Sequence, residues 1–210
     1  MRGQEVIFSS ARTGKGTDEW GTPPDLYNNL DSIFHFDLDP CCTVENQKCE
    51  IGFGLDRGFE DENKLHFMRD GLKASFGQYT AFVNPPQSQL SAWIKKCHDE
   101  SVVNGSTVVM LIPARTGRTA WQKYVLGAPQ YGETGAAEIW YVDGRISFFG
   151  KIKKPGQPKD RPAEEVEYEM GYAPGTFDSA VVVFRWPNAG EPVHRSYVRP
   201  QDRVKKDVEE

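Results

Sequence analysis

The segment 107–112, which is apolar at every position after Thr107, constrains the fold of this 210-residue chain more than any other feature. A strand without polar alternation has to be buried on both faces, as in a parallel sheet covered by helices. Apolar residues at helical spacing stand on either side of this run, at 90–97 and at 121–125. Further strand patterns occur at 36–40, 79–83, 137–142 and 179–186. The alternation predicts an α/β domain with a mostly parallel sheet and helices on both faces.

The predicted domain occupies most of the chain. Residues 1–19 are polar and are interpreted as a flexible N-terminal lead-in, residues 20–190 as one domain, and residues 191–210 as a polar C-terminal tail. Residues 150–176 break the strand and helix pattern, because five basic residues at 151–161 are followed by four glutamates at 164–169, with prolines and glycines scattered throughout. Such a composition predicts a mobile loop or insertion.

The charge and the cysteines narrow the class of protein. A net charge of −5 excludes a bulk polycation but leaves room for a local basic face. No apolar run approaches the roughly 20 residues that cross a bilayer, and the first residues lack the apolar segment of a secretory signal. Cys41, Cys42, Cys49 and Cys97 are too few for a disulfide scaffold and contain no C-x-x-C pair for zinc. We therefore expect a cytoplasmic, reduced protein with no metal and no membrane partner.

Polar residues that follow the predicted strands mark the candidate site, since open α/β sheets bind ligands at the carboxyl ends of their strands. Asp39-Pro40-Cys41 follows one strand, Asn84-Pro85-Pro86-Gln87 the next and Arg115-Thr116 a third. In the second motif the prolines stiffen the loop and leave carbonyl groups unpaired. An amide oxygen beside a free carbonyl suits an amino group that must be held while its lone pair attacks. A plain turn with asparagine as its cap explains the four residues equally well.

The tetrapeptide resembles the [DNS]-P-P-[YFW] motif of amino-directed methyltransferases that use S-adenosylmethionine. The wider chain resembles the phage and prophage (Dam-like) DNA N6-adenine methyltransferases in seven segments that follow the order of that family. These segments are residues 20–27, 36–49, 70–72, 82–86, 108–116, 144–148 and 179–184.

The resemblance implies a Rossmann-like class I methyltransferase in a bacterial or phage-infected cell. It implies transfer of a methyl group from S-adenosylmethionine to N6 of an adenine flipped out of double-stranded DNA. The catalytic residues that it implies are Asn84, Pro85, Pro86 and Gln87, of which Asn84 and the Pro85 carbonyl accept hydrogen bonds from the amino group. The cofactor-binding residues that it implies are Trp20, Thr22, Pro23, Asp39, Pro40, Cys41, Asp70, Leu72 and Asn84.

Basic residues must hold the DNA backbone while the base is out of the helix. From positions near strand ends and in the 150–176 segment, we expect these contacts from Arg115, Thr116, Arg118, Arg145, Lys151, Lys153 and Lys154. For the lysine-rich part of that segment, a solvated loop is an equally good interpretation.

One residue departs from the family pattern. The fourth motif position usually carries an aromatic ring that stacks on the flipped base, and here it is Gln87. Phe148, Trp121 and Tyr79 are the candidates to supply a ring instead.

Two alternative functions stay open at this point. One is a methyltransferase of the same fold that acts on cytosine N4, RNA or protein glutamine. The other is a non-catalytic relative that binds cofactor or DNA, with Gln87 as the mark of lost activity. The recognition sequence and the oligomeric state are left open, with a monomer favoured.

Overall fold

The computed structural model describes residues 20–55, 63–154, 156–157, 167–187 and 192–197. Within these residues it contains two α-helices, one eight-stranded sheet and a separate two-stranded hairpin. The helices are α1 (Pro24–Phe34) and α2 (Leu90–Asn104). The strands are β1 (Leu38–Asp39), β2 (Ile51–Gly54), β3 (Leu65–Met68), β4 (Thr80–Val83), β5 (Thr107–Pro113), β6 (Glu138–Val142), β7 (Ser147–Lys153), β8 (Tyr168–Pro174), β9 (Ser179–Phe184) and β10 (Val193–Tyr197).

The large sheet is mostly parallel. Its strand order is β10-β6-β9-β5-β4-β1-β2-β3, and β9 is antiparallel to both of its neighbours while every other pair is parallel. From β1 the chain moves outward to β2 and β3, then returns to place β4 on the opposite side of β1. The strand order therefore reverses between β1 and β4, and a crevice for a ligand is expected outside their carboxyl ends.

The core has one layer on each face of this sheet. Alternate residues of β5 belong to opposite layers: Val108 and Met110 to one, Val109 and Leu111 to the other. Helix α2 packs in the first layer and α1 in the second. The predicted α/β fold with a mostly parallel sheet and helices on both faces is confirmed.

Several strands were not anticipated. Strands β2 and β3 have four residues each, and the residues of β3 are mostly exposed, so neither has the apolar run that marked β5. Strand β10 lies in the segment expected to be a polar tail, where it pairs in parallel with all five residues of β6. The sheet therefore continues beyond residue 190.

The segment expected to be a loop, 150–176, is paired over much of its length. Strands β7 and β8 form an antiparallel hairpin in which Gly150 lies opposite Gly171 and Lys153 opposite Tyr168. Most residues of both strands are exposed, and the two strands are separated by more than a dozen residues, so local composition did not reveal the pairing. Residues 158–166 and the lead-in 1–19 lie outside the described residues, and the mobility of the segment stays a prediction.

Gly71 connects the turn after β3 to the loop after β1. A Cβ atom at this position would lie 1.9 Å from the carbonyl oxygen of Pro40 and 2.9 Å from the ring of Trp93. No real side chain tolerates the first distance, so the two backbones can approach only because residue 71 is glycine.

We expect Gly71→Ala to lower the free energy of unfolding by about 1–3 kcal/mol, because backbone atoms of the β1 loop must move to admit the methyl group. Gly117→Ala is the matched control, since a Cβ atom there meets no atom within 4 Å. That variant should stay within about 0.5 kcal/mol of the wild type. Urea unfolding followed by circular dichroism measures both, and equal losses in the two variants would contradict the close approach.

Candidate active site at the reversal of strand order

The N-terminal segment of the domain holds the side chain of Asn84, the residue that follows β4. Its Nδ2 group donates to the carbonyl oxygen of Trp20 at 2.8 Å and to Oγ1 of buried Thr22 at 3.1 Å. Because a carbonyl oxygen can only accept, Nδ2 must face Trp20, and the Oδ1 atom of Asn84 must point away from it.

Two oxygen acceptors are left without protein partners beside this contact. Among the described residues, neither Oδ1 of Asn84 nor the carbonyl oxygen of Pro85 accepts a hydrogen bond. The carbonyl oxygen of Pro86, by contrast, accepts from the Gln89 N–H at 3.0 Å and starts a short 3₁₀ turn. The motif therefore presents two acceptors that suit an amino group.

Asn84 and Trp20 lie in the wall between two pockets. The first pocket, called here the β1 pocket, is also lined by Gly21, Thr22, Asp39, Cys41, Asn46, Lys48 and Phe82. The second, called here the hairpin pocket, is also lined by Pro85, Gln87, Leu111, Ile112, Pro113, Phe148, Ala173, Pro174, Gly175, Thr176, Phe177 and Ser179. A group bound in either pocket can contact Asn84.

A buried carboxylate dominates the electrostatics of the β1 pocket. Asp39 is 5 % exposed, and its two oxygens accept from the N–H groups of Cys41 at 3.3 Å and Lys48 at 3.1 Å. Burial raises the pKa of Asp39 to about 6, although these two hydrogen bonds and the charge of Lys48 oppose the shift. Burial also lowers the pKa of Lys48, against the attraction of Asp39. The pocket thus has an acceptor for hydroxyl or ammonium groups and a cation for a carboxylate.

The turn after β3 supports this pocket from behind. Asp70 accepts from the Leu72 N–H at 3.0 Å and forms an ion pair with Lys73 at 3.1 Å, while Gly71 packs on Pro40. Asp70 and Leu72 are therefore close to the loop after β1 but do not line the β1 pocket itself. Pro23 also stays outside it and accepts from the Tyr27 N–H at the start of α1.

Aromatic rings line the hairpin pocket. Of the three rings considered as substitutes at the fourth motif position, only Phe148 reaches it. Trp121 is 1 % exposed in the core, and Tyr79 precedes β4 at the opposite end of the strand from Asn84. Sequence reasoning missed Phe177, which comes from the turn between β8 and β9.

Gln87 contacts an arginine from the loop after β5. Its Oε1 atom accepts a hydrogen bond from Nη2 of Arg115 at 2.9 Å. The guanidinium carbon of Arg115 lies 4.3 Å from the centroid of the Phe177 ring, within the range of a cation–π contact. The loop after β4, the loop after β5 and the turn between β8 and β9 are thereby connected through these three side chains.

The residues expected to bind DNA come from three elements. Arg115, Thr116 and Arg118 follow β5, on the same edge of the sheet as Asn84, and exposed Arg145 precedes β7. Lys151 and Lys153 are exposed on β7, and Lys154 follows it in an ion pair with Glu167 at 2.9 Å.

The hairpin is tied to the segment that holds Asn84. The N–H of Gly21 donates to the carbonyl oxygen of Phe149 at 2.7 Å, and the N–H of Phe149 returns the bond at 3.0 Å. Strand β7 therefore lies beside the active-site wall, and its exposed lysines follow the paired Phe149 along the strand.

The described part of the chain contains no group of three or more histidine, cysteine, aspartate or glutamate residues placed to hold a metal ion. No helix in this part has the length and apolar character needed to span a bilayer.

Comparison with known protein families gives a match. A model of the family described as DNA N-6-adenine-methyltransferase (Dam) matches residues 9–170, well over half of the chain. Curated proteins give no match. The matched region includes the Asn84 motif and the two other segments that line the β1 pocket, residues 20–22 and 39–48. The chain therefore belongs to the DNA N-6-adenine-methyltransferase (Dam) family and is an enzyme that methylates adenine in DNA.

Proposed function

We propose that this enzyme takes its methyl group from S-adenosylmethionine and transfers it to N6 of an adenine flipped out of double-stranded DNA. The position of Asn84 in the wall shared by the β1 pocket and the hairpin pocket carries the proposal. A methyl donor in the first pocket and a base in the second would meet at this side chain. The family assignment favours adenine in DNA over cytosine N4, RNA and protein glutamine.

The residues of the β1 pocket fit this cofactor. An ionised Asp39 accepts hydrogen bonds from ribose hydroxyls or from the ammonium group, and Lys48 attracts the carboxylate of the methionine part. When bound, S-adenosylmethionine supplies an electrophilic methyl group on its sulfonium centre. Asp70 and Leu72 flank Gly71, which packs on Pro40 of the loop after β1, and they do not line the pocket.

The Asn84 motif would act by positioning and by electrostatics. Oδ1 of Asn84 and the carbonyl oxygen of Pro85 accept the two N–H groups of the adenine amino group and turn its lone pair toward the β1 pocket. Positive charge would develop on N6 as it bonds to the methyl carbon and the carbon–sulfur bond breaks, with S-adenosylhomocysteine as the leaving group, and both acceptors would stabilise that charge. One N6 proton then leaves to solvent.

The hairpin pocket would take the flipped base. Phe148, Phe177 and Trp20 offer rings to it, and stacking of a base on an aromatic ring contributes about 1–3 kcal/mol. We keep as phosphate contacts the residues expected from the sequence, which are Arg115, Thr116, Arg118, Arg145, Lys151 and Lys153. Lys154 is the weakest of these candidates, because Glu167 already neutralises it.

We expect Asn84→Ala to reduce methyl transfer at least 100-fold, because it removes one acceptor from the developing charge. Purified enzyme, unmethylated DNA and methyl-labelled S-adenosylmethionine are incubated, and N6-methyladenine is quantified by mass spectrometry after digestion. Asn28→Ala, the same change at an exposed position of α1, should leave the rate unchanged. Activity retained in Asn84→Ala would refute the role of this residue.

Thr22 should act on the reaction through Asn84. Replacing it with valine removes the Oγ1 acceptor of the Asn84 amide but preserves the side-chain shape, so kcat/KM should fall about tenfold. Thr22→Ser retains the hydroxyl and should stay within about twofold of the wild type. Similar losses in both variants would show that packing, and not the hydrogen bond, is what matters at this position.

The pKa of Asp39 predicts a pH-dependent contribution to stability. Because the folded pKa of about 6 lies above the ordinary value of 3.8, this carboxyl stabilises the fold at low pH and loses that contribution as the pH rises through 6. Asp39→Asn has no such contribution. The free energy of unfolding of the wild type minus that of the variant should fall by up to about 3 kcal/mol between pH 4 and pH 7. Urea titrations at several pH values measure it, and a flat difference contradicts the raised pKa.

A further inference from the structure

Gln87 carries an unused hydrogen-bond donor in the lining of the hairpin pocket. It is an exposed side chain in the pocket lining, and its Oε1 atom accepts from Arg115. Arginine can only donate, so the amide cannot be turned the other way without losing this bond. The Nε2 group of Gln87, which carries two hydrogens, is therefore the amide atom that does not face Arg115, and it has no partner among the described residues.

Arg115 is itself held in place. Its guanidinium group stacks on Phe177, and its loop is joined to the β8–β9 turn by the hydrogen bond from the Ala114 N–H to the carbonyl oxygen of Asp178 at 2.8 Å. Arg115 does not line the hairpin pocket but contacts two residues that do, Gln87 and Phe177. Its position behind the lining suits a positioning role.

The donor on Gln87 complements the acceptors on the Asn84 motif. The adenine amino group is a hydrogen-bond donor, and it lies between two ring nitrogens that accept hydrogen bonds. N1 stands beside it on one edge of the base and N7 on the other. Asn84 Oδ1 and the Pro85 carbonyl satisfy the amino group, which leaves the ring nitrogen without a partner. A glutamine amide is the neutral donor that such a nitrogen needs.

We propose that Nε2 of Gln87 donates a hydrogen bond to the ring nitrogen beside the amino group of the flipped adenine, and that Arg115 holds the amide in this orientation. This inference rests on the proposed function. In this proposal Gln87 recognises the edge of the base. The aromatic residue that usually occupies this motif position would instead stack on the face of the base. Arg115 is then a positioning residue for base recognition in addition to any contact with DNA.

The test replaces single ring nitrogens of the target base by C–H. Wild-type enzyme first identifies its methylated sites on ordinary DNA, and duplexes are then made with adenine, 1-deazaadenine or 7-deazaadenine at one such site. We expect kcat/KM to fall about 10- to 100-fold on one of the two analogues, because the Gln87 donor is then left unpaired. The analogue that is affected identifies the edge that is read.

Variants test whether the fall in kcat/KM on the sensitive analogue depends on Gln87 and Arg115. Gln87→Leu has no donor, so its rates on adenine and on the sensitive analogue should differ less than about threefold, and Arg115→Met should show the same loss of discrimination. Arg118→Met is the matched control from the same loop: it should weaken binding to every duplex equally and preserve the wild-type ratio. For a variant too slow to assay, the ratio of dissociation constants for the same duplexes, measured by fluorescence anisotropy, replaces the ratio of rates.

Each part of the inference can fail separately. Equal wild-type rates on all three bases overturn the hydrogen bond, a penalty that persists in Gln87→Leu overturns its assignment to this residue, and a penalty that persists in Arg115→Met overturns the positioning role. If the wild type forms no N6-methyladenine on ordinary DNA, the proposed function fails and this inference fails with it.

Discussion

The hydrogen bonds from Asn84 Nδ2 to Trp20 and Thr22 are the interaction on which the active site depends. They join the end of β4 to the segment that leads into α1, and the pairing of Gly21 with Phe149 joins that segment to the hairpin. The backbone pairing thus joins the hairpin to this segment, and the Asn84 amide joins the segment to the end of β4. Because the donors of this amide are used in this way, its oxygen is the atom that we propose contacts substrate.

Burial of charge near the β1 pocket works against stability at neutral pH. Asp39 is ionised there only at a cost, since burial raises its pKa, and backbone hydrogen bonds from Cys41 and Lys48 offset part of that cost. An acceptor with reduced solvation interacts more strongly with a bound hydroxyl or ammonium group than an exposed one does. Such perturbed groups are characteristic of functional sites, which often retain charge at the expense of stability.

Much of the fold could be predicted because its central strands are continuous apolar runs. Strands β4 and β5 and helix α2 could be predicted from their apolar patterns. Strands β2, β3, β10 and the hairpin could not, because each is short or half exposed and depends on a distant partner. The local sequence also does not show which aromatic rings line the pocket. Composition does not distinguish Trp121, which fills the core, from Phe148, which lines the hairpin pocket.

The sequence by itself determined the α/β class, the Asn84-Pro85-Pro86-Gln87 motif and the family, because apolar periodicity and short motifs are local properties of the chain. Only the tertiary structure decided which way the amides of Asn84 and Gln87 point. Their partners lie 64 residues away at Trp20 and 28 residues away at Arg115. A side-chain amide is nearly symmetric in shape, so its donor and acceptor ends are distinguished by what the fold places beside them.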